Sequence, residues 1–242
     1  MRTLIAVASL AALLAACGQD PAPAAEAPRP TTPQDGPTKP APADQVADIA
    51  PPAAPVSPGE QGGTDGWREV AGSADISNIG RLDQAWRLAR AEAEDKGFND
   101  QVEALGPLVD PNAGQAGRLQ PAPGTYRCRT IKLGTKTGTG PAFVAYPAFR
   151  CTVELTPGGD LILTKTTGSQ RTRGLLYPDS DRRLVFVGAQ AWGADETGFP
   201  AYGRQPERDQ VGVFERIGAE RWRLVIPWPR VESKLEILEL TR

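Results

Sequence analysis

From Gly124 onward the chain is written in short runs of Val, Ile, Leu, Thr and aromatic residues, each closed off by Gly, Pro, Asp or Ser. The runs are 125–133, 142–146, 149–156, 160–166, 171–177, 183–189, 210–217, 221–227 and 234–240, and they read as β-strands. Parallel strands need crossovers of a dozen or more residues, usually a helix, and these connections are too short and too polar for that. Eight or nine strands at near-regular spacing therefore predict a mainly β, antiparallel barrel or sandwich. Closure is favoured, because a barrel leaves no unpaired edge. Alternation is clearest in RWRLVIPW, where Trp222, Leu224, Ile226 and Trp228 share one face, expected to be core, and Arg221, Arg223 and Val225 the other.

The residues before this β domain (124–242) have a different period. Residues 83–96 (DQAWRLARAEAEDK) place Trp86, Ala89 and Ala93 on one helical face together with Leu82, and Gly97 is positioned to end the helix. A second piece, 98–105, carries Phe98, Val102 and Leu105 on one stripe before Gly106-Pro107. Residues 66–110 are thus read as a helical pair, followed by a polar loop.

The amino terminus speaks to location. Arg2, an apolar run from Leu4 to Leu14 and small residues before Cys17 form a secretory signal over 1–16, too short to span a bilayer as a helix. The tetrapeptide Leu14-Ala15-Ala16-Cys17 resembles a bacterial lipobox, which implies cleavage before Cys17 and acylation of its thiol and amino group, with palmitate among the chains. Several acyl chains, each contributing about 0.8 kcal/mol per buried CH₂, make a lasting membrane anchor. Gly18 in place of Asp after the cysteine favours the outer membrane by the sorting rule of enteric bacteria, with the domain facing the periplasm or the cell surface. Residues 17–65 then form a tether. Twelve of the 24 prolines lie in it with almost no large apolar residue, so it is expected to stay disordered. It carries seven acids against Arg29 and Lys39, while residues 66–242 are net +2.

Two cysteines remain. In a strand the neighbours of Cys128 point away from its face, so Arg127 and Arg129 are poorly placed to activate that thiol. Cys151 shares the face of Phe149, Val153 and Leu155. Two strand cysteines in an oxidising compartment are expected to pair, and closing a loop of about 23 residues contributes roughly 3 kcal/mol.

The chain contains no histidine, which removes Ser-His-Asp and Cys-His catalysis and the common zinc hydrolase sites. No SxxK, GxSxG, phosphate-loop or GxGxxG pattern is present. GTKTGTG (134–140) reads as a hairpin loop. Carboxylates in loops (Asp179, Asp181, Asp195, Glu196, Glu207, Asp209) leave a carboxylate-based hydrolase as a minor alternative. No metal or cofactor is expected.

One asymmetry is left. From Arg127 to Arg173 there are eight bases and only two acids, Glu154 and Asp160. Arg127, Arg129, Arg150, Arg171 and Arg173 are candidates for an outward anion-binding face, against the plainer reading of a solvated sheet. The expected partners are the membrane, through Cys17, and an anionic envelope polymer or a protein. No series of stacking aromatics accompanies the bases, as binding to single-stranded nucleic acid would require.

The segments ALGPLVDP (104–111), GTYRCRTIKLG (124–134), YPAFRC (146–151), TGSQRTRGLLYPD (167–179), YGRQPERDQVGVFERIG (202–218) and RWRLVIPWPRVESKLEILEL (221–240) together resemble an uncharacterised bacterial lipoprotein family, domain of unknown function 4893. That resemblance implies an envelope protein and brings no catalytic residues with it. At fold level alone, a lipoprotein with a disulfide near the start of an eight-stranded barrel is similar to bacterial inhibitors of secreted metalloproteases. The expected function is a non-enzymatic outer-membrane lipoprotein whose tethered domain binds an envelope component or partner, the alternative being a barrel-type protease inhibitor.

Overall fold

The computed structural model describes residues 66–242; the expected signal peptide, Cys17 and the expected tether lie outside the described residues. The strands are β1 (Gly124–Leu133), β2 (Phe143–Leu155), β3 (Leu161–Lys165), β4 (Gln170–Pro178), β5 (Leu184–Trp192), β6 (Asp209–Gly218), β7 (Arg221–Pro227) and β8 (Leu235–Thr241). Each pairs antiparallel with the next. β8 pairs back onto β1, from Leu133 opposite Leu235 to Arg127 opposite Thr241, so the sheet closes into an eight-stranded up-and-down barrel. Closure satisfies the backbone of the last strand with that of the first and leaves no open edge.

The ninth sequence segment is absorbed by a bulge. Residues 142–146 and 149–156 read as two strands because Pro147 interrupts them, yet both belong to β2. Arg129 pairs with Ala148 and Ile131 with Ala145, so Tyr146 and Pro147 together oppose one residue of β1. An extra residue in a bulge makes no ladder bond, and there a proline without an N–H is tolerated.

Among the described residues four helices precede the barrel: α1 (Trp67–Val70), α2 (Ser73–Gly80), α3 (Leu82–Asp95) and α4 (Asn99–Glu103), then a 3₁₀ turn at Gly106–Val109. The two helices read from the sequence correspond to α3 and α4; α1 and α2 have too few apolar repeats to show a period. At the end of α3, Gly97 adopts φ 87° and two bonds close the terminus, Phe98 N–H to Ala93 C=O and Gly97 N–H to Glu94 C=O. A left-handed φ there favours glycine, which has no Cβ to clash.

The helices lie against the outside of the barrel. Ala85, Trp86, Ala89 and Ala93 pack on Ile131, Leu133, Val225, Leu235 and Ile237, while Trp67, Ala71 and Ile79 pack on Val185, Val187, Val211 and Val213. This corrects the assignment of the second face of β7. Val225 is buried beneath the helices, and Arg223 is fully buried. The Arg223 guanidinium pairs with Glu215 at 2.6 Å and donates to the carbonyls of Pro107, Leu108 and Asp110. A charge so enclosed is stable only when paired and saturated with hydrogen bonds, and here it fastens the 3₁₀ turn to the wall. Trp228 also departs from expectation. The strand ends at Pro227, and Trp228, at φ 52°, turns out of the inner face to join the outer cluster.

Inside the barrel the upper and lower halves differ. One end is apolar: Tyr126, Leu163, Leu176, Phe186, Phe214, Trp222 and Leu240 interlock around the Cys128–Cys151 disulfide. Cys128 stands opposite Phe149, and Cys151 opposite Tyr126, so the sulfurs meet on a diagonal with Cα atoms 5.9 Å apart. Trp222 Nε1 donates to Leu119 C=O and the Tyr126 hydroxyl to Ala122 C=O, drawing the loop before β1 over this end.

Candidate binding site at the barrel mouth

Strand alternation carries the inner face past the disulfide to a polar end. On β1 the residues after Cys128 that face inward are Thr130 and Lys132; on β3 Leu161 and Leu163 are followed by Lys165. Register then brings Glu236 of β8 beside Lys132, and Gln170 and Thr172 of β4 beside β5. Lys132, Lys165, Thr172, Gln190, Gln210 and Glu236 are all buried. Six buried polar side chains at one end of a barrel whose other end is hydrocarbon is costly unless the end has work to do. Thr172 Oγ1 and Gln210 Oε1 have no hydrogen-bond partner.

Lys132, Tyr146, Phe149, Lys165, Gln170, Glu232 and Glu236 line a cavity of about 230 Å³ at this end. A neighbouring cavity of about 400 Å³ shares Lys132, Tyr146 and Glu232 and runs beneath the 134–140 hairpin. Together they reach the size of small-molecule sites, which are a few hundred Å³ with a few convergent polar groups.

The two lysines have opposite electrostatics. Lys132 Nζ donates to Gln170 Oε1 at 2.6 Å, contacts the Glu232 carboxylate and lies 3.8 Å from Glu236. Burial works against its charge, but Glu236 and Glu232 outweigh it and hold its pKa above the ordinary lysine value. Lys165 Nζ lies 3.8 Å over the Phe149 ring and donates to the Gln170 carbonyl at 2.6 Å. Among the described residues no carboxylate stands within ion-pairing distance of it. Burial pushes its pKa down to about 8, and the positive charges of Lys132 and Arg171 act in the same direction against the pull of Glu236. Burial raises the Glu236 carboxyl above the usual range, against the pull of Lys132 and Lys165. Glu232 goes the other way, because the hydrogen bond from Lys132 stabilises its charged form.

Glu232 is also strained. Its φ of 69° lies in the left-handed region, where a side chain costs on the order of 1 kcal/mol or more. Its carboxylate bridges Lys132 and Gln170 Nε2, the latter at 3.0 Å, while half of its side chain remains in solvent. An internal carboxylate therefore covers Lys132 from the loop between β7 and β8.

The five arginines singled out in the sequence stand at outward positions of the neighbouring strands β1, β2 and β4, and three of them are already engaged. Arg127 and Arg150 are cross-strand partners, exposed on the outer wall. Arg129 pairs with Glu239 at 2.8 Å. Arg173 donates to Thr164 Oγ1 at 2.8 Å and lies 3.6 Å from Glu154. Arg171 donates to the Gly193 and Glu196 carbonyls at the rim. Loop carboxylates are similarly engaged: Asp179 accepts from Trp67 Nε1 at 2.6 Å and Arg183 at 2.7 Å, and Glu196 from Arg208 at 2.6 Å. Among the described residues no cluster of acids and cysteines is arranged to hold a metal ion. Lys132 and Lys165 belong to the run of eight bases between Arg127 and Arg173, yet they point into the barrel. The signal was present, since each sits two residues beyond an inward Thr130 or Leu163.

Apolar side chains inside one end and exposed Arg127, Arg150 and Glu154 outside are the reverse of a barrel that crosses a bilayer, where the outer band is apolar. Among the described residues no helix is long and apolar enough to cross a membrane either. A family model described as a domain of unknown function (DUF4893) matches residues 67–240, which takes in both the helices and the barrel. No curated protein and no solved structure matches the chain.

Proposed function

The chain belongs to the DUF4893 family, and from that premise we propose that it is a non-enzymatic binding protein of the bacterial envelope that receives a small carboxylate or other anion in the mouth of its barrel. The observation that carries this reading is the pair of inward lysines in one cavity, with Glu232 bonded to Lys132 as an anionic ligand would be. A bound carboxylate takes the place of Glu232 on Lys132 and Gln170, and the freed loop relaxes from its left-handed φ. The Cys17 lipid holds the protein at the outer membrane, so the ligand is drawn from envelope components. Metabolic labelling with palmitate, lost in Cys17→Ser, checks the anchor.

The test is calorimetric titration of the full chain in detergent with acetate, succinate and inorganic phosphate. Binding to at least one is expected, weakened about tenfold or more by Lys132→Met and strengthened by Glu232→Gln, which removes the competing charge. Arg127→Ala with Arg150→Ala should leave it unchanged. The opposite pattern, loss with the two arginines and none with Lys132→Met, would move recognition to the outer wall.

A further inference from the structure

We infer that Lys165 is a carbonyl-capturing amine, and that the ligand class of the barrel mouth is the small oxo acid, held by its carboxylate at Lys132 and reversibly by its aldehyde or ketone carbon at Lys165. This rests on the anion-binding reading above and gives the second lysine a role that charge alone does not.

The geometry separates the two amines. Lys132 has carboxylate partners and a side-chain amide acceptor, an arrangement that keeps an ammonium. Lys165 has the flat face of Phe149 on one side and a single backbone carbonyl as acceptor, so one or more of its N–H positions face the cavity. Gly168 leaves it room: a Cβ at that position would lie 3.2 Å from Lys165 Nζ and 2.9 Å from the Phe149 ring. A desolvated lysine in a cavity next to another cation is the arrangement that makes the amine a nucleophile.

The step balances without a redox partner. The nitrogen lone pair of the neutral amine adds to the carbonyl carbon, a C–N bond forms, the C=O π electrons pass to oxygen, and one proton passes from nitrogen to that oxygen. The resulting carbinolamine then loses its hydroxyl as water: an acid protonates the oxygen, the C–O bond breaks, the nitrogen lone pair closes the C=N bond as an iminium, and the iminium returns its N–H proton to the conjugate base of that acid. Overall, amine and carbonyl give imine and water. Glu236 lines the same cavity, so its carboxyl is in place to relay the second proton. The charged groups facing Lys165 are Glu236 from β8, Lys132 from β1 and Arg171 from β4, with Glu232 at the rim; with its pKa near 8, the amine becomes competent as pH rises through that value.

The experiment is reductive trapping. The full chain in detergent is incubated with glyoxylate and sodium cyanoborohydride from pH 6 to 9, and carboxymethylated lysines are mapped by mass spectrometry. Acetaldehyde, which lacks the carboxylate, serves as the second probe. Lys165 is expected to be trapped at least about tenfold faster than Lys96 and Lys136, with a rate that climbs through about pH 8. Lys165→Arg should abolish the preference. Lys132→Met should slow trapping by glyoxylate several-fold more than trapping by acetaldehyde, which loses only the help of the neighbouring positive charge, and that difference ties the carboxylate to Lys132. Trapping spread evenly over the lysines would overturn the inference. If the titrations show anion binding while Lys165 is not trapped, this inference fails and the proposed function stands; if Lys165 is trapped equally by both aldehydes in wild type and Lys132→Met, the amine survives and the oxo-acid assignment fails.

Discussion

The two ends of the barrel are made from the same strands on the same inward parity, and differ only in what each strand places there. β1 offers Tyr126 and Cys128 to one end, Thr130 and Lys132 to the other; β3 offers Leu161 and Leu163, then Lys165; β8 offers Leu240 and Leu238, then Glu236. At the apolar end the interior is filled by hydrocarbon and aromatic rings, including an edge-on pair of Tyr126 and Trp222 at 5.8 Å. At the polar end buried amide and hydroxyl oxygens are left without partners. The difference teaches where stability and function lie in a fold whose topology gives no clue to either: the first end holds the sheet closed, and the second is tolerated because the first does so.

The sharpest way to break the comparison is at the seam. Phe186 is fully buried, and its ring lies where Gly174 and Gly188 leave space; Cβ atoms there would come within 2.6 and 2.7 Å of its Cζ. Phe186→Ala should cost about 3 to 5 kcal/mol in urea unfolding, from lost burial and the cavity left behind. Adding Gly174→Ala should not rescue it, since that Cβ would also lie 2.4 Å from the Val187 carbonyl oxygen. At the other end Gln210→Leu should be neutral or stabilising, because the Oε1 it removes has no partner. Equal losses at both would show that the polar end is as essential to the fold as the apolar one.

Next in size is the cross-link. Cys128→Ala with Cys151→Ala should lower stability by about 2 to 5 kcal/mol, read from the urea midpoint. Anion binding at temperatures where the double variant is folded should persist, because the sulfurs belong to the closed end. A loss of binding out of proportion to stability would mean the two ends are mechanically coupled.

Much of the apolar end was legible in the sequence. The strand segments and the facing of Cys128 and Cys151 follow from period-two alternation, which depends only on local backbone geometry. Alternation could not report the β2 bulge, since Pro147 looks like a break until a partner strand shows that it is an insertion. Nor could it report that Arg223 is enclosed, because that burial comes from a 3₁₀ turn more than a hundred residues earlier in the chain. The polar end was half legible. Parity with Cys128 points Lys132 inward and parity with Leu163 does the same for Lys165, whereas a lysine's charge by itself argues for the surface. Composition is a weaker guide than parity where a barrel keeps one end wet.

The smallest effect is the most discriminating, because its sign is opposite to that of the losses at the apolar end. Burial lowers the Lys165 pKa from 10.5 to about 8, so the folded protein binds this proton less readily than the unfolded chain does. Stability rises with pH wherever the unfolded state holds more protons, here between about pH 8 and 10.5. Below pH 8 the folded state therefore carries the full cost of an enclosed ammonium, and that cost fades as the amine deprotonates. Lys165→Met removes it, replacing the side chain by an apolar one of similar length. The variant should be more stable than wild type by about 1 to 2 kcal/mol at pH 7, with the gap closing by about pH 10, measured as paired urea midpoints across the range. At the apolar end every truncation should destabilise at all pH values; at the polar end this replacement should stabilise, and only while the amine is charged. A Lys165→Met protein less stable than wild type at pH 7 would mean that the ammonium is ionically satisfied within the fold, and the contrast between the two ends would then lie in shape and not in electrostatic cost.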